Sequence, residues 1–127
     1  MKATELMVGD WALINNTPHQ IQAIDSMDAE IQADDEAHYI GEDRYHSEDK
    51  LEGVPLTYEI FKKNGWKYNC GFFMKKVNEN THLSWTDRYG AALYKNNYHM
   101  CDCNYVYTLQ HALRLCGLDE LADNFKL

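Results

Sequence analysis

A chain of 127 residues and 14.8 kDa has room for one domain or two very small subdomains, which excludes an enzyme with separate cofactor and substrate lobes. Apolar residues at 45% and charged residues at 25% are ordinary globular values; they exclude disordered, collagen-like and low-complexity classes and leave enough apolar surface for a core. Twenty acids against twelve bases give a formal charge of -8, which excludes a protein held to DNA or to a membrane surface by bulk positive charge.

The charge is unevenly placed. Residues 1–53 hold thirteen Asp/Glu and three Lys/Arg (3 - 13 = -10), and residues 54–127 hold seven and nine (9 - 7 = +2). The opening residues, Met1 to Asp10, lack the apolar segment of about 7 to 15 residues that a signal peptide needs. Apolar stretches such as Trp11 to Ile14 fall far below the roughly 18 residues of a membrane span. The expectation is a soluble, cytoplasmic chain with no membrane partner, whose four cysteines, Cys70, Cys101, Cys103 and Cys116, are reduced thiols.

In chain order, residues 8–15, 19–25 and 29–33 alternate apolar with polar side chains, which is the period of half-buried strands. Asn15-Asn16-Thr17-Pro18 and Asp25-Ser26-Met27-Asp28 supply turn chemistry between them. The three runs predict a small antiparallel meander of SH3-like type, entered through a tight bend at Gly9-Asp10. From Asp34 to Gly53 the periodicity gives way to acids: Asp34, Asp35, Glu36, Glu42, Asp43, Glu48, Asp49 and Glu52. This segment reads as a solvated acidic loop and a candidate contact surface, with room for a short strand around His38-Tyr39-Ile40.

A short helix with both ends marked follows. Thr57 can cap the first turn, Leu56 and Phe61 hold the positions of a hydrophobic staple, Glu59 and Lys62-Lys63 complement the helix dipole, and Gly65 can close the last turn. Residues 66–77, 81–85 and 91–94 read as three strands separated by Asn78-Glu79-Asn80 and Asp87-Arg88-Tyr89-Gly90. Val106, Leu109, Leu113 and Cys116 are spaced as one face of a helix, with Asn104 as its cap and Gly117 as its stop. Asp119 can cap a last short helix carrying Leu121 and Phe125. The fold class is therefore α+β: an SH3-like β-rich subdomain with its acidic loop over 1–53, and an α-β-β-β-α unit over 54–127, expected to pack as one compact domain.

Three segments together resemble a known family: Glu5-Leu6-Met7-Val8-Gly9-Asp10-Trp11, then Val54-Pro55-Leu56-Thr57-Tyr58-Glu59-Ile60-Phe61-Lys62-Lys63-Asn64-Gly65-Trp66, then Tyr105-Val106-Tyr107-Thr108-Leu109-Gln110-His111-Ala112-Leu113. They are similar to a family of small uncharacterised proteins of anaerobic gut bacteria and their phages, with lrxGNxV, PLTeexLxkxGF and VHxLQnlyxaL motifs. Asp10 stands where that family has Asn, and Tyr107 where it has His. The resemblance implies a cytoplasmic, phage- or mobile-element-related setting and no catalytic residues.

Two side-chain sets are candidate sites. In an extended strand His99, Cys101 and Cys103 would project from one face as three soft ligands for zinc, although the Cys-x-Cys spacing is not that of a zinc knuckle, and small buried thiols beside a surface His are the plainer reading. Thirteen of the sixteen aromatic residues lie in the second half, interleaved with cations. Trp66, Tyr68, Trp85, Arg88, Tyr89 and Lys95 are the candidates for stacking on single-stranded nucleic acid, against the alternative that a small sheet needs such rings for its core. No catalytic signature surrounds any cysteine. A phosphate-binding Gly-rich loop, a Gly-x-Ser-x-Gly elbow, a His-Glu-x-x-His pair and an EF-hand pattern are also missing. The sequence thus points to a non-catalytic module whose partner is another protein, with a single-stranded nucleic-acid accessory protein and a small zinc-binding protein as alternatives.

Overall fold

A computed structural model describes residues 5–25, 36–39, 46–47 and 51–127. It is an α+β protein whose contacts divide into two units, Met1–Val54 and Pro55–Leu127. Every strand pairing within the two sheets is antiparallel.

In the first unit, β1 (Trp11–Ile14), β2 (Thr17–Asp25), β3 (Glu36–Tyr39), β4 (His46–Ser47) and β5 (Leu51–Gly53) form one sheet in the order β4-β3-β2-β1-β5. The meander runs outward from β1, as expected, and β5, from the segment read as an acidic loop, returns to pair with β1. Asn15 and Asn16 both take positive φ, 52° and 66°, as a two-residue hairpin turn matching strand twist requires. The bend at Gly9-Asp10 is held by a local ring of hydrogen bonds. The Asp10 carboxylate, fully buried, accepts from the Met7 amide at 2.7 Å, and the Asp10 amide donates to the Met7 carbonyl at 3.0 Å. The expected strand at 29–33 lies outside the described residues. The acidic segment 34–53 is less loop-like than its composition suggested, because β3, β4 and β5 fall in it. Leu51 lies opposite Ile14, and both are buried, so one apolar residue anchors an otherwise polar strand.

The second unit opens with α1 (Tyr58–Lys63), capped as its sequence predicts: the Thr57 hydroxyl accepts from the Ile60 amide at 3.3 Å. Its C-terminus is a Schellman closure. The Trp66 amide donates to the Phe61 carbonyl and the Gly65 amide to the Lys62 carbonyl, with Gly65 at φ +80°, where a side chain would be strained. The apolar contact that accompanies such closures is Phe61 against Trp66, ring centroids 5.0 Å apart.

Five strands follow where three were expected: β6 (Lys67–Asn69), β7 (Phe72–Asn78), β8 (Thr81–Thr86), β9 (Ala92–Lys95) and β10 (Tyr98–Asp102), arranged as a meander in the order β10-β9-β8-β7-β6. The run 66–77 is broken by a two-residue turn at Cys70-Gly71, φ 52° and 89°, and a further turn at Asn96-Asn97, φ 49° and 70°, adds β10. After β10 come α2 (Val106–Leu115) and α3 (Asp119–Asp123). Tyr105 rather than Asn104 holds the N-cap position of α2, with no side-chain cap bond, and Leu118 rather than Asp119 that of α3. Val106, Leu109, Ala112 and Leu113 form the buried stripe of α2. Gln110, also buried, donates from Nε2 to the Ala122 carbonyl at 2.9 Å and ties α2 to α3. No helix of the described residues is long and apolar enough to cross a membrane.

Candidate binding surface and thiol pair

Cross-strand partners in an antiparallel sheet share a face, and neighbours along a strand do not. Two transects of the second sheet follow from its register. Tyr68, Phe73, Trp85, Leu93 and Cys101 lie across one face; Lys67, Met74, Ser84, Tyr94 and His99 lie across the other.

The first face is the core. Phe61 of α1 stacks on Phe73 at 5.0 Å and meets Trp85 at 4.6 Å. Trp85 Nε1 donates to the Cys103 carbonyl at 2.8 Å. Trp66 and Trp85 are each 3% exposed, so the two tryptophans expected to stack on a ligand instead build the core. The physical reason is that a five-stranded sheet under short helices needs large rings to fill the layer between them.

The remaining members of that set are at the surface. Tyr68 and Tyr89 are exposed, at 52% and 83%. Arg88 is exposed but anchored: Nη1 donates to the Cys70 carbonyl at 3.4 Å, and a Cβ placed on Gly71 would meet this side chain at 3.2 Å. Tyr68 joins Tyr58 at 5.7 Å, and the Tyr58 hydroxyl donates to Asp87 at 3.2 Å. That bond, with the nearby carboxylate charge, holds the Tyr58 phenol above its ordinary pKa. Lys95 lies elsewhere on the sheet, opposite Leu83 and Tyr98.

The second face is more open. Phe72 and Tyr94 meet edge to face at 6.3 Å, and Tyr94 meets His99 at 5.7 Å, giving a row of three rings. Met74 is 37% exposed, and Lys67 and Lys76 are exposed beside it. A groove of about 410 Å³ lined by Lys67, Met74, Lys76 and His82, among others, crosses this face; a second of about 460 Å³ shares Met74, Lys76 and His82 with it. Phe72, Met74 and Tyr94 were not singled out from the sequence. For Phe72 and Met74 the signal was the alternation after Gly71, masked when 66–77 is read as one strand.

The three proposed zinc ligands do not share a face. A bulge between His99 and Cys101 breaks the alternation, so that His99 lies opposite Tyr94 and Cys101 opposite Leu93. His99 Nε2 lies 3.4 Å from the Asp102 carboxylate instead. No group of three or more His, Cys, Asp or Glu among the described residues is placed to hold a metal ion.

The cysteines differ in burial. All four cysteines are free; Cys101 is partly exposed and Cys103 buried. The neighbouring Cys103 thiol lowers Cys101 to about 7, with the charge of His99 helping and burial and Asp102 opposing. The neighbouring Cys101 thiol, followed by burial, pushes Cys103 well above the usual thiol range. Cys116 Sγ contacts Met100 Sδ at 4.0 Å, close to the bulge.

No family model, curated protein or solved structure matches this chain.

Proposed function

We propose that this chain is a cytoplasmic, non-catalytic binding module that engages another protein through the open face of its second sheet. The observation that carries this reading is the transect Lys67–Met74–Ser84–Tyr94–His99, with Ser84 buried at its centre and Phe72 beside Tyr94. Such a face combines a polarisable thioether, rings with polar edges and two cations, the composition of a protein contact surface. The phage-related setting implied by the resemblance of its three motifs is compatible with an accessory role. The test is affinity capture from cells that contain the chain, comparing the native sequence with Met74→Ala/Tyr94→Ala. A partner recovered by the former and lost by the latter, with an unchanged circular dichroism spectrum, supports the reading; a partner held equally by both sinks it.

The ring row Phe72, Tyr94 and His99 beside Lys67 and Lys76 favours a second reading, single-stranded nucleic acid stacked on the same face. Here the supporting result is an oligonucleotide mobility shift that weakens with salt and disappears in Tyr94→Ala/Lys76→Ala. No binding at low salt would end it.

A further inference from the structure

We propose that Asn64-Gly65 is a deamidation site guarded by the chain segment that follows α3. Asn64 is the one asparagine of ten in the sequence that precedes a glycine. Glycine has no side chain to screen its own amide nitrogen, so the Gly65 nitrogen has room to close a ring on Asn64 Cγ once the asparagine side chain turns toward it. In the folded chain that side chain is turned away. Asn64 Nδ2 donates to the Ile60 carbonyl at 2.8 Å, four residues back along α1, and to the Lys126 carbonyl at 2.7 Å. Asn64 Oδ1 accepts from the Lys126 amide at 2.8 Å. The attacking nitrogen is engaged as well, because the Gly65 amide donates to the Lys62 carbonyl at 3.1 Å.

Two of the three bonds on the side-chain amide thus come from the backbone of one residue, Lys126, which pairs with it as a neighbouring strand would. The guard is weak by construction. Both bonds to Lys126 are exposed, and exposed hydrogen bonds open at far lower cost than a packed core. On either side of the turn, by contrast, Phe61 and Trp66 are buried and in contact, with ring centroids 5.0 Å apart. Asn64 therefore becomes reactive by local opening at Lys126, with α1 and the sheet intact. The site is independent of whatever the open sheet face binds.

In the reaction the Gly65 nitrogen attacks Asn64 Cγ; the N–Cγ bond forms, the Cγ–Nδ2 bond breaks, and the Gly65 amide proton leaves with Nδ2 as ammonia. Water then opens the resulting succinimide. Attack at Cγ restores the main chain with an aspartate at position 64, and attack at the main-chain carbonyl carbon of that residue leaves an isoaspartate. Water enters and ammonia departs, so neither oxidant nor reductant is needed. Both products lack the Nδ2 protons. In the aspartate a carboxylate faces the Ile60 and Lys126 carbonyl oxygens at the negative end of α1, and the pairing with Lys126 does not re-form. In the isoaspartate an extra carbon enters the main chain within the turn that closes α1, next to Gly65 and buried Trp66.

The full chain is incubated in mildly alkaline buffer at physiological temperature, and the tryptic peptide 64–67, bounded by cleavage after Lys63 and Lys67, is weighed over time for conversion of amide to acid. The native chain, Lys126→Pro and Trp85→Phe are compared. Proline at position 126 removes the amide that donates to Asn64 Oδ1. Conversion at residue 64 is then expected to run about fivefold faster than in the native chain, the effect of losing one hydrogen bond, with an unchanged circular dichroism spectrum. Trp85→Phe weakens the whole unit but leaves the guard in place, and should accelerate conversion less. In Asn64→Asp, which carries one product from the start, the Lys126 amide should exchange its hydrogen faster than in the native chain. The proposal is overturned if Lys126→Pro converts no faster than native, or if Trp85→Phe accelerates conversion more than Lys126→Pro does. It is equally overturned if the Lys126 amide exchanges as slowly in Asn64→Asp as in the native chain.

Discussion

Replacing Trp85 with Phe separates a structural tryptophan from a ligand-stacking one. Trp85 is 3% exposed, and its Nε1 donates at 2.8 Å to the carbonyl of Cys103. Phenylalanine leaves that carbonyl without this donor, at a cost of about 1–3 kcal/mol for a buried polar group. Shrinking the ring also opens a void beside Phe61, whose centroid lies 4.6 Å away, worth about 1 kcal/mol more. The sum, about 2–4 kcal/mol, is a large share of the roughly 5–15 kcal/mol that holds a small domain together. In a domain of this size it corresponds to a fall in Tm of about 8 °C or more. Urea unfolding followed by far-UV circular dichroism reads it directly, with Tyr89→Phe, at a position 83% exposed, as the control expected within about 0.5 kcal/mol of the native chain. A Trp85→Phe chain within 0.5 kcal/mol of native would refute the placement of Trp85 in the core.

Three further outcomes follow from the geometry. Thr57→Ala removes the acceptor of the Ile60 amide and should cost about 1 kcal/mol in the same unfolding assay, while Thr57→Ser should cost little. Gly71→Ala imposes a side chain at φ +89° and drives its Cβ to 3.2 Å from Arg88; a loss of about 1–2 kcal/mol is expected, of which Arg88→Ala should recover only the steric share. Alkylation of Cys101 should rise with pH to a midpoint at about 7 rather than near the ordinary 9.0, because the neighbouring Cys103 thiol favours the thiolate. Mass-resolved iodoacetamide labelling of the tryptic peptide 96–114 should show this midpoint move upward in Cys103→Ala.

Local signals in the sequence were sufficient wherever one residue type answers one backbone need. Thr57 and Gly65 marked both ends of α1, Asn15-Asn16 marked the first hairpin, and the period of Val106, Leu109 and Leu113 marked the buried stripe of α2. Elements that depend on distant partners were not legible in this way. Leu51 is a single apolar residue among acids, and β5 exists because β1 offers it an edge opposite Ile14. The Cys70-Gly71 turn puts a cysteine at φ 52°, a conformation that Asn or Gly ordinarily signals.

The candidate sites failed and succeeded for similar reasons. Strand alternation put His99 on the same side as Cys101, and one bulge separated them. Aromatic content alone could not tell Trp85, on the helix-covered face, from Tyr94 on the open one. Only the register sorts them.

Site-specific photocrosslinking tests the binding reading most directly. Benzoylphenylalanine is placed at position 74, on the open sheet face, or at position 115, where Leu115 is 83% exposed at the end of α2, and cells containing the full chain are irradiated. The account predicts a discrete protein adduct from position 74 that is missing from position 115. Equal labelling from both positions, or an adduct from position 115 alone, would contradict it.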